Sequence, residues 1–167
     1  MIEDAINNKR EVVELLRQAK LLAVRYRQLT GKPLGIPGAV AEFEAAAILG
    51  LDLHAARTAG YDATEIREGK LVRVQIKGRC IADPKRVTGR VGKIDLRQPF
   101  DTVLLVLLDM ELNALVMYEA ERAAVEVLLT KSGSKARNER GSVGINQFKA
   151  ISNVRWAKHN YAQNKSG

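Results

Sequence analysis

The amino-acid sequence predicts an α/β domain: a central sheet flanked by helices, with one further helix at the N-terminus. Three observations carry that expectation. Leu71–Lys77 alternates strictly, with Val72, Val74 and Ile76 on one side and Leu71, Arg73, Gln75 and Lys77 on the other, the period of two that marks a strand. Val103–Leu108 is an unbroken apolar run, as in a strand covered on both faces. Around these strands the spacing turns helical: Ala5, Val12, Val13, Leu16, Ala19 and Ala23 recur among charges, and Ala39–Leu49 is apolar on nearly every side.

Taken in order, the first helix is expected over Ile2–Leu29, broken by Thr30-Gly31-Lys32-Pro33 and a loop through Gly35, Pro37 and Gly38. The second, roughly Ala39–Leu49, reads as buried, and its only ionisable residues are Glu42 and Glu44. A linker with His54 and Arg57 leads to a short strand around Tyr61–Thr64. His54 and His159 have no evident partner and read as structural or surface residues. Glu68-Gly69 then suits a two-residue hairpin turn. With that turn, opposed residues sum to 137, so Asp62 faces Gln75 and Gly60 faces Lys77. Directly opposed side chains share a face, their Cβ atoms about 5 Å apart, and a one-residue slip would destroy the arrangement.

Beyond Lys77 comes a basic segment, Arg79–Lys93, broken by Pro84, Gly89 and Gly92. Strands follow at Val103–Leu108 and Leu115–Tyr118, then a helix over Glu119–Leu129. A second basic loop, Lys131–Arg140, leads into a tail, Ile145–Trp156, expected to pack back through Phe148, Ile151, Val154 and Trp156. The whole reads as one domain: an N-terminal helix (1–30), a core (35–129), and a basic loop with a packing segment (130–167).

At 167 residues the chain can bury a core without covalent staples. Its longest apolar run is too short to span a bilayer. The N-terminus is charged from Glu3 onward and lacks the apolar stretch of a signal peptide. Cys80 is the lone cysteine, and no Cys/His cluster offers a zinc site. These features suggest the cytoplasm. Lys and Arg number 27 against 19 Asp and Glu, a net charge of +8 with a pI near 9.8. Such an excess suits a polyanionic partner, above all nucleic acid.

Phosphodiester hydrolysis needs a hard cation held by oxygens, a positioned water and a positive charge near the phosphate. Asp62 offers a carboxylate, Gln75 a side-chain carbonyl beside it, and Ile76 a backbone carbonyl. Lys77 projects to the face of Gln75, about 6.5–7 Å along the strand. Periodicity alone leaves Glu42 and Glu44 equally placed to add a helix carboxylate.

The run Asp62 … Gln75-Ile76-Lys77 resembles the PD-(D/E)XK motif of restriction-endonuclease-like nucleases, in the Gln-x-Lys form of Mrr-type enzymes. Gly38 followed by Glu42 resembles that family's first helix, a spacing that favours Glu42 over Glu44. Two departures are evident: Tyr61 stands in place of the proline, and Gln75 in place of the usual acid. The resemblance, over roughly Gly35–Leu129, implies a mixed sheet with an αβββαβ core. It also implies an endonuclease acting on DNA, RNA not being excluded, with Mg²⁺ or Mn²⁺ on Asp62, Gln75, Ile76 and Glu42, and Lys77 assisting the chemistry. Phosphate contacts are expected from Arg79, Lys85, Arg86, Arg90 and Lys93, and from Lys131, Lys135, Arg137 and Arg140. Cutting both strands with one small site per chain suggests a homodimer. The alternatives are an inactive nucleic-acid-binding module on the same fold, or a basic subunit that meets an acidic protein.

Overall fold

Every residue of Thr102–Leu108 (β4) is buried, which makes this apolar run the centre of the sheet. In the computed structural model, which describes residues 2–54, 60–131 and 141–163 without the side chains of 2–5 and 162–163, β4 lies parallel to Lys70–Cys80 (β3) and antiparallel to Ala114–Glu121 (β5). Ala63–Arg67 (β2) pairs antiparallel with β3, and Asp52–Leu53 (β1) with β2. Asn153–Ala157 (β6) closes the far edge against β5. The sheet is therefore mixed and six-stranded, in the order β1-β2-β3-β4-β5-β6. Helices Ile2–Thr30 (α1), Pro37–Leu49 (α2), Arg122–Thr130 (α3), Ile145–Ala150 (α4) and His159–Gln163 (α5) accompany it.

Alternation along β4 divides the core in two. Leu104, Val106 and Leu108 join Val74, Ile76 and Met117 beneath Val40, Ala41 and Ala45 of α2 and Ala23 of α1. Val103, Leu105 and Leu107 face the other way, onto Val125 and Leu129 of α3 and Ile145 and Phe148 of α4. Parallel strands need a crossover. Here it is residues 81–101, which form no helix and bury Ile81, Val87, Val91, Ile94 and Phe100 in that second core. The basic segment is thus a crossover with an apolar underside, not a free loop.

The hairpin turn forms as expected: Glu68 and Gly69 both adopt positive φ, 49° and 76°, the pairing of a type I′ turn. Five opposed pairs, from Ala63↔Val74 to Arg67↔Lys70, obey the sum of 137. Other expectations need correction. Five strands separate α2 from the next helix, where the residues predicted four and the αβββαβ core implies three; the unexpected one is β1. That helix begins at Arg122, because β4 holds β5 in register as far as Thr102↔Glu121. In the tail, Phe148 is buried, and Ile151 and Trp156 pack against the two cores. Val154, on the outer edge strand, is 54% exposed. Among the described residues no helix is long and apolar enough to cross a membrane.

Candidate functional site

The β2–β3 ladder ends one residue before the expected Asp62–Gln75 pair. The Asp62 N–H donates to the Val74 carbonyl at 2.9 Å instead, so neither Asp62–Gln75 nor Gly60–Lys77 forms a register pair. The reason lies at Gly60. Its φ is +89°, and a Cβ there would meet the Pro99 carbonyl at 2.6 Å and Gln98 Cβ at 2.8 Å. Only glycine can turn the chain beneath the 98–99 segment in this way. Past Asp62 the register pairing of the two strands stops, and side chains rather than a continued ladder meet that edge of β3.

Two side-chain hydrogen bonds join the 60–62 segment to β3 beyond the ladder. Ile76 N–H donates to Asp62 Oδ2 at 2.6 Å. In a strand, the N–H and C=O of one residue leave on the same edge, so the Ile76 carbonyl is directed toward Asp62. Gln75 Nε2 donates to the Gly60 carbonyl at 3.0 Å, which fixes the amide plane. Its Oε1 is buried and, among the described residues, has no hydrogen-bond partner. Leaving such an oxygen unsatisfied costs about 1–3 kcal/mol.

Glu42 arrives from the opposite face of the sheet. Its helix approaches β3 closely at Gly78, where a Cβ would lie 2.5 Å from Ala41 Cβ and 2.7 Å from the Pro37 carbonyl. Burial raises the Glu42 carboxyl above its ordinary pKa; Asp62's charge adds to the rise and Lys77 opposes it. Burial likewise lowers the Lys77 ammonium, against the upward pull of Asp62 and Glu42, with Arg79 assisting the fall. Glu42, Asp62 and Lys77 therefore sense one another. Glu44 does not join them: it accepts from Lys20 at 2.7 Å and from the Ala114 N–H at 3.2 Å. Geometry thus separates two glutamates that periodicity could not.

The crossover passes over Lys77. A Cβ at Gly92 would lie 3.7 Å from Lys77 Cδ and 2.7 Å from an Arg79 guanidinium nitrogen. Arg79 donates to the Arg90 carbonyl at 2.8 Å and to the Gly78 carbonyl at 2.6 Å. Arg90 in turn donates to the Ser142 carbonyl. These two arginines are tied to main-chain carbonyls and hold the crossover in place. Lys85, Arg86 and Lys93 are exposed on the crossover, as is Lys131 at the end of α3. Lys135, Arg137 and Arg140 lie outside the described residues.

His54 is not isolated. Its ring shares a hydrogen bond with Thr64 Oγ1 at 2.8 Å and stands edge-on to Tyr61, centroids 5.3 Å apart. The His54 main-chain N–H donates to the Asp62 carbonyl at 2.9 Å, so it fixes the segment that carries Asp62. Sequence reasoning also missed Gly60 and Gly78 as site-shaping residues. The signal for Gly78 was present: an isolated glycine within a strand pattern marks close backbone approach.

Among the described residues no three His, Cys, Asp or Glu side chains form a metal-holding group. The oxygens expected from the sequence to hold a metal are of mixed kind: two carboxylates, one amide oxygen and one main-chain carbonyl. Hard divalent cations accept all three kinds of oxygen, and the unpartnered Gln75 Oε1 is the atom such an ion would satisfy. No protein-family model and no curated protein sequence matches the chain.

Proposed function

We propose that this protein is a divalent-metal-dependent endonuclease acting on DNA, built on the PD-(D/E)XK pattern that its residues resemble. The observation that carries the reading is the buried Gln75 Oε1, unpartnered among the described residues, two residues along the strand from a Lys77 on which Asp62 and Glu42 both act. Asp62, Gln75 and the Ile76 carbonyl would hold Mg²⁺ or Mn²⁺, with Glu42 reaching it through water. When bound, the ion supplies Lewis acidity to the phosphate and acidifies the attacking water.

The chain's own residues supply the rest. Lys77, its pKa lowered by burial, orients the water and, when neutral, takes its proton. Its charged form offsets charge growing on the phosphate. The closed backbone around Gly60 keeps Gln75 from rotating away. Lys85, Arg86 and Lys93, exposed on the crossover above Lys77, meet phosphates of the substrate. A cytoplasmic setting suits such an enzyme.

The test is incubation of supercoiled, linear and branched DNA with purified protein and Mg²⁺ or Mn²⁺, with EDTA controls and Asp62→Ala in parallel. Metal-dependent cleavage by the parent and its loss in a folded Asp62→Ala supports the reading. Salt-sensitive binding without cleavage in either metal overturns it in favour of a binding module. Equal cleavage by both proteins places the chemistry elsewhere.

A further inference from the structure

Helix α1 is 29 residues long, yet among its described side chains only Ala23 enters the domain core in full burial, with Leu16 packed beside it. Every described side chain from Ile6 to Leu15 is exposed. Beside the residues that meet the core, Val12, Leu15, the half-buried Ala19, Leu22, Tyr26 and Leu29 follow one another at alternating steps of three and four. That is the a/d spacing of a coiled-coil seam. Val12, Leu15, Leu22, Tyr26 and Leu29 are 45, 56, 61, 39 and 69% exposed. The stripe runs for about 25 Å at 1.5 Å per residue. A run of apolar side chains of this length on a monomer's surface marks an interaction site.

Charge identifies the occupant. Residues Ile2–Leu16 carry four acids against two bases, whereas Arg17–Thr30 carries Arg17, Lys20, Arg25 and Arg27 and no acid. Glu11 and Arg25, both exposed, hold the same position, immediately before Val12 and Tyr26 on one flank of the seam. In an antiparallel pair the same flanks meet, so each Glu11 faces the partner's Arg25. In a parallel pair that flank would face the residues following each d position, Leu16, Ala23 and Thr30, which carry no charge.

We infer that α1 is the dimerisation element of this protein, pairing antiparallel with α1 of a second copy about a two-fold axis near Arg17. In this register Val12 packs on the partner's Leu22 and Leu15 on the partner's Ala19, while Tyr26 lies against the partner's Asn8. The contact is isologous and closes at two chains. It is independent of the nuclease reading, and its test does not use cleavage.

Sedimentation velocity of the full chain over a wide concentration range should show a reversible dimer. Leu15→Glu with Leu22→Glu should weaken dimerisation by at least about tenfold, with the far-UV circular dichroism unchanged because both side chains are exposed. Glu11→Arg should weaken it as well, and adding Arg25→Glu to that variant should restore it. A parent that is monomeric throughout overturns the inference, as does a dimer that survives the paired leucine substitutions. Failure of the charge swap to rescue overturns the antiparallel arrangement.

Discussion

Replacing Gly78 with alanine tests how the helix carboxylate reaches the site. A Cβ at this position meets Ala41 Cβ at 2.5 Å and the Pro37 carbonyl at 2.7 Å, and one of these is main chain at the start of α2. Overpacking of this kind costs about 2–3 kcal/mol, in the upper part of its usual range. Alanine recovers about 0.5–1 kcal/mol by restricting the unfolded chain. A net loss near 2 kcal/mol should therefore lower the melting temperature by about 4–8 °C for a domain of this size. The strain is relieved most simply by moving the N-terminal turns of α2 away from β3, taking Glu42 with them. If Glu42 serves the chemistry, a shift approaching 1 Å would cost up to about a hundredfold in rate. Calorimetry gives the first quantity; cleavage well below both melting temperatures gives the second. Ala41→Gly in the same chain removes the shorter of the two contacts, at a helix cost of about 1 kcal/mol. The pair should accordingly be more stable than the sum of single effects predicts, by at least about 0.5 kcal/mol. A Gly78→Ala protein that melts with the parent, or shows no coupling to Ala41→Gly, would refute this account of the helix–strand contact.

Further outcomes follow from the same geometry. Gln75→Glu should tighten Mg²⁺ or Mn²⁺ binding by placing a charged oxygen where Oε1 lies, and Gln75→Ala should weaken it; three indistinguishable calorimetric titrations would make Gln75 a strand residue only. Burial holds the Lys77 pKa below its ordinary 10.5, so the unfolded chain binds the extra proton and the parent gains stability as pH rises through the folded value toward 10.5. Its melting temperature should therefore climb relative to that of Lys77→Met over this window, and parallel pH profiles would remove the effect. Glu42, raised by burial, has the opposite sign: its protonated form favours the folded state, a contribution lost as pH rises through its folded pKa. The parent should thus lose stability relative to Glu42→Gln as pH rises from 4.5 through the folded value, as thermal melts across a pH series would show. Neutralising Lys85 and Arg86 together should flatten log K for DNA against log salt by about 0.9 per lost phosphate contact; an unchanged slope would move the DNA surface off the crossover.

The local chemistry of the chain alone determined much of the fold. The alternation of Leu71–Lys77 and the Glu68-Gly69 turn act over a few residues, and they set the hairpin and its five-pair register. The apolar run of β4 likewise implied burial on both faces. Tertiary structure decided what lies beyond Ala63. The ladder ends there because Gly60 turns beneath Pro99, a contact across nearly forty positions that no local pattern encodes. Glu42 and Glu44 have the same helical context, and only the meeting of Glu44 with Lys20 and Ala114 assigns them different tasks. Arg79 and Arg90 looked like loop charges free to bind phosphate; packing of the crossover onto the sheet turned their guanidinium groups toward main-chain carbonyls. Side-chain period and turn type are properties of neighbouring residues, whereas strand termination, hydrogen-bond partners and burial depend on which distant segment occupies the adjoining space.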